Sequence, residues 1–356
     1  MDTLPGMTPP LFVTRDETLL DELLRLGAAA GITPEVARDG VMALRSWTTA
    51  PLVLVGADLA TEIAELQPVR RPGVHVVSWG RVADEVFRTA VAVGAENVAE
   101  LPGSGTWVVE ALTDLGDARR PKGLVLGVMG GSGGAGATTF ACALGQVAAT
   151  SGGAVVIDCD PLGPGVDRVL GLERHDGFRW DALCQTTGRL SARSLREALP
   201  HRGALGVLSW YAGGSGSLQD FAAREALSAA RRGHDTVVLD LPRAPDPIVD
   251  ELASRCDRLL VMVVPTVAGV AAAARVCRRF ADLEGVRLVL RGHGIASAEV
   301  AAATGVPVLT SMLDQRALEE SIDLGLGPVR SPRGRLGRAA QGVLASVLDV
   351  PASAAA

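Results

Sequence analysis

Short apolar runs alternate along the chain with segments whose apolar residues recur at helical spacing. In the first part of the chain, apolar runs predict strands at 11–14, 51–55, 74–78 and 95–101. Segment 16–30, with its regularly spaced leucines, and segment 84–93 predict helices. This alternation is typical of a parallel sheet covered by helices.

A second alternation of the same kind begins at Gly123. It predicts strands at 124–129, 154–158, 205–209, 236–240, 258–264, 287–291 and 306–309, and it predicts helices at 138–149 and 335–348. Between the two alternations, Gly116–Lys122 breaks the pattern and reads as a linker. The sequence therefore predicts an α/β protein with domains at 1–115 and 123–350, a linker at 116–122 and a disordered tail at 351–356.

Composition excludes several classes of protein. The five cysteines form no Cys-x-x-Cys pair, which argues against a disulfide framework or a zinc site and favours a reducing compartment. The net charge of -6 argues against a general nucleic-acid binder, although a local basic patch stays open. The chain shows no signal peptide and no apolar run near the ~20 residues of a membrane span, so we expect a cytoplasmic protein.

The most informative segment is a glycine-rich loop between a predicted strand and a predicted helix. Glycines at 130, 131, 133, 134 and 136 precede Thr138 and Thr139. Glycines let the backbone curl so that its N–H groups point inward, and the following helix N-terminus adds partial positive charge. A hydroxyl at that terminus can bind Mg²⁺. The segment therefore predicts a phosphate-binding loop.

One charged residue of that loop is missing. In the usual pattern of Gly, four residues, Gly, Lys and Ser/Thr, Gly131, Gly136 and Thr138 hold their places, but Ala137 stands at the lysine position. The single lysine of the chain, Lys122, precedes the strand and cannot substitute. The loop alone therefore leaves open a glycine-rich turn without a ligand.

Three carboxylates strengthen the interpretation as a phosphate site. Asp158 and Asp160 end one predicted strand, and Asp240 ends another. A P-loop protein holds Mg²⁺ and positions water with carboxylates at these places on the sheet edge. Helix capping or turn formation is the alternative role for each of them.

The order of these motifs resembles the MinD/ParA family over residues 122–350. Within that family the chain looks like the CpaE/TadZ branch, and most like actinobacterial CpaE-like proteins such as the septum-site-determining protein Ssd. The resemblance implies an ATP or ADP site with Mg²⁺. It implies metal ligands at Thr138 and Asp240, catalytic residues at Asp158 and Asp160, and nucleotide-binding residues at Gly131, Gly133, Gly134, Gly136, Thr138 and Thr139.

The family also carries a second, signature lysine early in the loop, and its position here is Ser132. Without the two lysines, the loop lacks the positive charge that stabilises the transferred phosphate. We therefore expect weak or absent hydrolysis. Arg243, in the loop after Asp240, is a hypothetical replacement that binds nucleotide. The alternative for Arg243 is a solvated surface charge.

The first 115 residues resemble a response-regulator receiver domain with a flavodoxin-like fold. The phosphate-accepting aspartate is replaced by Gly56, and the lysine before the proline is replaced by Leu101. Asp58 follows two residues later and is expected to face elsewhere. Asp16 matches a remnant of the acidic pair of a receiver domain, and Ser78 matches the hydroxyl residue after the fourth strand of a receiver. The domain is therefore predicted to dock or target the protein without phosphotransfer.

Together these resemblances imply a nucleotide-responsive spatial regulator that forms a homodimer. Its implied role is septum-site determination in cell division, or the localisation of pilus or secretion machinery. It would be cytoplasmic and would reach the cytoplasmic face of the plasma membrane through a partner, with nucleic acid an unexpected ligand. Weak or absent hydrolysis would make it a pseudo-ATPase. An active ATPase with a compensating arginine and a nucleotide-free scaffold are the two alternatives.

Overall fold

A computed structural model describes residues 8–117, 123–184, 190–211 and 216–348 of the chain. The chain divides into two compact units, Met1–Arg119 and Arg120–Ala356. Within the predicted linker only Gly116 and Asp117 are described, and both belong to the end of a helix. The rest of the linker prediction and the predicted tail at 351–356 lie outside the described residues.

The N-terminal unit is a parallel five-stranded sheet with helices on both faces. Its elements in chain order are β1 (Leu11–Val13), α1 (Glu17–Ala29), β2 (Glu35–Ala37), α2 (Gly40–Ser46), β3 (Val53–Gly56), α3 (Ala57–Glu65), β4 (Val74–Trp79), α4 (Asp84–Val93), β5 (Asn97–Leu101) and α5 (Gly105–Asp117). The strand order is β2-β1-β3-β4-β5. The prediction of a flavodoxin-like receiver fold is confirmed.

Alternating side chains of β1 show why this sheet needs helices on both sides. Leu11 and Val13 pack into the core under α2, α3 and α4, whereas Phe12 packs into the core with α1 and α5. Asp16 begins α1 by accepting hydrogen bonds from the backbone N–H groups of Thr18 and Leu19. Asp16, the expected remnant of the acidic pair, therefore serves as a helix cap.

The place of the receiver's phosphate acceptor is filled by other side chains. Gly56 ends β3, and a Cβ atom on it would overlap Asp58 Oδ1 and lie 2.7 Å from Thr14 Oγ1 and 2.8 Å from Thr14 Cβ. The Asp58 carboxylate accepts hydrogen bonds from the Thr14 hydroxyl at 2.8 Å and from the Arg15 N–H at 2.7 Å. The expectation that Asp58 faces elsewhere is wrong, because these bonds turn its side chain back toward the end of β1.

The C-terminal unit is an eight-stranded sheet that also carries helices on both faces. Its elements are β6 (Leu124–Gly130), α6 (Ala137–Ala148), β7 (Ala154–Asp158), α7 (Val166–Leu170), α8 (Trp180–Leu183), α9 (Ala192–Ala198), β8 (His201–Arg202), β9 (Leu205–Leu208), α10 (Asp220–Gly233), β10 (Thr236–Leu241), α11 (Pro247–Ser254), β11 (Arg258–Val263), α12 (Val267–Arg279), β12 (Val286–Arg291), α13 (Ser297–Thr304), β13 (Val308–Met312), α14 (Leu318–Asp323) and α15 (Arg335–Leu348). The strand order is β13-β12-β11-β6-β10-β7-β9-β8, with the β8–β9 pair antiparallel and the other pairs parallel.

The central position of β6 determines where the site forms. It pairs with β10 on one side and with β11 on the other, and β10 pairs onward with β7. All four strands are parallel, so their carboxyl ends meet at one edge of the sheet. In this register Asp240 of β10 is the direct neighbour of Asp158 of β7.

Helices cover both faces of this sheet. Helices α6, α7 and α15 pack on one face, and α10, α11 and α12 pack on the other. Among the described residues, no helix combines the length and apolarity needed to cross a bilayer.

Replacing Gly56 by alanine tests whether the acceptor place is filled. The added methyl group would collide with Thr14 and Asp58, so we expect the free energy of unfolding to fall by about 1–3 kcal/mol. Gly105→Ala is the matched control, because its Cβ would make an ordinary contact of 3.7 Å with Leu26 Cδ2. Chemical denaturation measures both variants. Equal stability of the two would contradict the crowded geometry at Gly56.

Candidate functional site

The glycine-rich loop lies between β6 and α6, and several of its glycines are required by local geometry. The Gly131 N–H donates to the Met262 carbonyl of β11 at 2.8 Å. A Cβ on Gly131 would lie 2.8 Å from Ala273 Cβ of α12. Gly134 (φ 71°) and Gly136 (φ 91°) adopt left-handed backbone conformations that disfavour other residues. The loop therefore keeps a shape that only glycine allows at these positions.

The loop forms one wall of a cavity of about 890 Å³. Helix α6 begins at this cavity. Its N-cap residue is Gly136, which has no side chain to cap the first backbone N–H groups of the helix. The backbone N–H groups in the first turn of a helix lack intrahelical acceptors. They are therefore available to an acceptor in the cavity.

Most of the predicted site residues meet at this cavity. Those that line it are Gly133, Gly134, Gly136, Thr138, Thr139, Asp160, Asp240 and Arg243. Gly131 does not line the cavity and packs against Ala273 of α12, and Asp158 is buried beside Asp240. Ser132 and Ala137, which occupy the lysine positions, also line the cavity and bring no charge to it.

Asp240 is a buried carboxylate directly beside the helix N-terminus. Burial and the neighbouring Asp158 raise the pKa of Asp240 to about 7, although a hydrogen bond with the Thr138 side chain partly opposes this rise. A carboxylate with a raised pKa has an unfavourable charged form that a cation would stabilise. Thr138 and Asp240 thus place a hydroxyl and a carboxylate together at the mouth of the loop.

Asp158 organises the segment that follows β7. Its carboxylate accepts hydrogen bonds from the Asp160 N–H at 3.1 Å, the Val166 N–H at 3.2 Å and the Ser209 hydroxyl at 3.0 Å. Burial raises the pKa of Asp158 to about 6 against these bonds. The sequence suggested catalysis for Asp158, and the structure gives its carboxylate three partners within the chain.

Two tryptophans bind the backbone of the same aspartate. The indole N–H groups of Trp180 and Trp210 donate to the Asp158 carbonyl at 2.6 and 3.1 Å. The two ring centroids lie 5.7 Å apart. Asp160, two residues later, lines the cavity and accepts a bond from the Leu162 N–H at 3.0 Å. Asp158 therefore links the cavity wall to an aromatic pair.

Four arginines line the cavity, and only Arg243 among them was singled out from the sequence. Arg243 and Arg275 are exposed, and Arg279 pairs with Asp250. Arg291, at the end of β12, donates to the Gly134 carbonyl at 3.2 Å and to Asp314 at 2.7 Å. Sequence reasoning missed Arg291, although its place at the end of a predicted strand on the same sheet edge was a usable signal.

The residues present fit a nucleotide with Mg²⁺. The left-handed glycines and the uncapped helix suit phosphate oxygens, and Thr138 with Asp240 suits a hard cation. Within the described part of the chain, no three His, Cys, Asp or Glu side chains form a group that could hold a metal. A magnesium ion here would therefore take other ligands from phosphate and water, as it does in many nucleotide sites.

Sequence comparison relates both domains to known proteins. The family described as "Rv3660c-like, CheY-like N-terminal domain" matches residues 13–123. Protein Rv3660c of Mycobacterium tuberculosis (strain ATCC 25618 / H37Rv) is 34% identical over 319 residues, which cover 87% of this chain and 90% of the relative. The similarity thus extends over both units.

Solved structures share the fold of the C-terminal domain. The ParA family ATPase of Chlorobium tepidum TLS superposes with a TM-score of 0.54 at 16% identity, covering 63% of this chain and 98% of its own. The septum site-determining protein MinD of Pyrococcus horikoshii OT3, complexed with Mg-ADP, has a TM-score of 0.50 at 16% identity, covering 65% of this chain and 97% of its own. The C-terminal domain therefore has the MinD/ParA fold.

Replacing Asp240 by asparagine tests the buried charge. The folded protein retains a proton on Asp240 between pH 3.8 and about 7, where the unfolded chain has lost it, so stability falls as the pH rises through this window. Asp240→Asn is therefore expected to be more stable than the parent at about pH 8, by about 4 kcal/mol, and this advantage should shrink toward about pH 4. Denaturation across this pH range measures the difference. A difference that is constant with pH would contradict the buried carboxylate.

Proposed function

The chain belongs to the family of protein Rv3660c of Mycobacterium tuberculosis, and we propose that it is a nucleotide-responsive spatial regulator of the MinD/ParA type. Its C-terminal domain would bind Mg-ATP and Mg-ADP at the glycine loop. The observation that carries the proposal is the open N-terminus of α6, where Thr138 and the buried Asp240 line the same cavity. This arrangement stabilises anionic phosphate and a hard cation side by side.

Most of the predicted site residues have a role in this binding. The loop glycines, with the N–H groups of Thr138 and Thr139, would hold the phosphates, and Thr138 with Asp240 would hold Mg²⁺. The bound cation would offset phosphate charge. Asp160 on the cavity wall would respond to the ligand, and Asp158 would transmit that response through its three hydrogen bonds.

Hydrolysis is proposed to be weak or absent. Ala137 and Ser132 leave the loop without the lysine charges that stabilise a phosphoryl transition state. The carboxylate of Asp158 is also engaged by three donors, which leaves it poorly placed to accept a proton from water. Binding without rapid turnover is the property of a switch whose nucleotide state changes slowly.

The finer assignment is to the CpaE/TadZ-like branch, close to septum-site-determining proteins. The receiver-like domain supports it, because Asp58 and Thr14 fill the acceptor place and leave a domain suited to protein contacts. We propose a cytoplasmic homodimer that acts in septum placement or in the localisation of pilus or secretion machinery. A partner protein would bring it to the membrane face.

Nucleotide binding is tested by calorimetric titration of the whole protein with Mg-ATP and Mg-ADP. We expect micromolar binding, and we expect Thr138→Ala to weaken it by about tenfold or more because a metal ligand and a cavity hydroxyl are lost. Thr150→Ala, beyond the far end of α6, is the matched control. No heat at millimolar nucleotide would exclude the switch and leave the scaffold, whereas steady phosphate release would indicate an active ATPase.

Tryptophan fluorescence tests the response to nucleotide. Trp180 and Trp210 both bind the Asp158 carbonyl, so a ligand that moves the segment after β7 should change their emission. We expect Trp210→Phe to reduce this change and Trp79→Phe, in the N-terminal domain, to preserve it. Unchanged emission at saturating nucleotide would mean that binding does not reach this segment.

A further inference from the structure

The phosphate loop contains no lysine, yet a bound triphosphate carries several negative charges. Backbone N–H groups and Mg²⁺ neutralise only part of that charge, and P-loop sites ordinarily add a side-chain cation. Ser132 and Ala137 bring none. A replacement cation would have to touch the loop from another element of the fold.

Arg291 makes that contact. It ends β12, and its guanidinium NH1 donates to the Gly134 carbonyl of the loop at 3.2 Å. A Cβ on Gly136 would lie 2.9 Å from the same nitrogen, so the guanidinium is packed directly against the residue that precedes Ala137. The cation is therefore next to the position where the lysine is missing.

Asp314 fixes the direction of this arginine. Its carboxylate accepts a hydrogen bond from Arg291 Nε at 2.7 Å, and the Arg291 side chain is 33% exposed. The bonds to Asp314 and Gly134 engage two of the five N–H donors of a guanidinium and leave three for other acceptors. Arg291 also lines the cavity, so a phosphate there can reach these donors.

The other cavity arginines fit this role less well. Arg279 is held by Asp250 and donates to the carbonyls of Arg243 and Ala244, which ties α12 to the loop after β10. Arg243 and Arg275 are exposed on the cavity wall. Within the described part of the chain, Arg291 is the arginine whose side chain donates a hydrogen bond to the backbone of loop residues 131–136.

We propose that Arg291, positioned by Asp314, supplies the side-chain positive charge for nucleotide phosphate that Ala137 and Ser132 no longer provide. This inference rests on the proposed function and replaces Arg243 as the compensating residue. A guanidinium donates in a fixed fork that suits phosphate oxygens. Because Asp314 and Gly134 hold it in place, it is suited to bind the phosphate chain and not to follow a phosphoryl group during transfer.

The test measures Mg-ADP and Mg-ATP affinity of the whole protein by calorimetry. We expect Arg291→Ala to weaken binding by about tenfold or more, Arg291→Lys to retain part of the affinity, and Asp314→Asn to weaken it less. Arg278→Ala is the matched control, because it removes the same charge from an exposed position of α12 that does not line the cavity, and we expect a change below about twofold.

A double variant separates charge from loop distortion. If Arg291 supplies charge, Ala137→Lys in the Arg291→Ala background restores affinity, because the lysine returns to its usual place. Failure of both this variant and Arg291→Lys to improve on Arg291→Ala would assign Arg291 a structural role and overturn the inference. Parent-like affinity of Arg291→Ala would also overturn it while leaving the proposed function intact. Absence of nucleotide binding by the parent protein would remove both.

Discussion

Two aspartates lie side by side at the ends of adjacent parallel strands, and the site depends on how their charges are compensated. Asp158 and Asp240 are direct neighbours in the register of β7 and β10, and both are buried. Burial raises both pKa values, the Asp158 carboxylate accepts three hydrogen bonds, and the neighbouring Thr138 hydroxyl partly opposes the rise at Asp240. Two buried like charges are unfavourable unless donors, protons or a cation offset them. In the proposed function, Mg²⁺ bound with the nucleotide supplies that compensation.

The surrounding structure is arranged around this pair. The donors to Asp158 come from the turn that leads into α7 and from Ser209 after β9, while Asp240 is reached by the first turn of α6. Changes at the cavity are thereby connected to the segment after β7, and through the Asp158 carbonyl to Trp180 and Trp210. This connectivity is what a nucleotide-responsive switch requires, because ligand contacts at one end alter bonds at the other.

Both domains have the backbone architecture of their fold, but uncharged residues occupy positions where that fold usually carries charged ones. In the C-terminal domain the loop keeps Gly131, Gly134 and Gly136, whose surroundings or dihedral angles exclude larger residues, while both lysine positions are neutral. In the N-terminal domain the receiver topology is complete, but Gly56 leaves room for Asp58 and Thr14 to bond where a phosphate acceptor would stand. A protein that binds nucleotide and contacts partners, without fast phosphoryl chemistry in either domain, is consistent with both changes.

The sequence by itself determined the α/β class, most of the strands and the position of the glycine-rich loop between a strand and a helix, because apolar periodicity and glycine spacing are local properties. Strands such as 154–158 and helices such as 84–93 and 335–348 were predicted with the bounds they have. Short or weakly patterned elements were missed, including β2 and α5, and β13 begins two residues later than predicted. The orientation of Asp58, the engagement of Asp158 and the contact of Arg291 with the loop were decided only by tertiary structure. Each depends on residues 44, 51 or 157 positions apart in the chain, which no local pattern encodes.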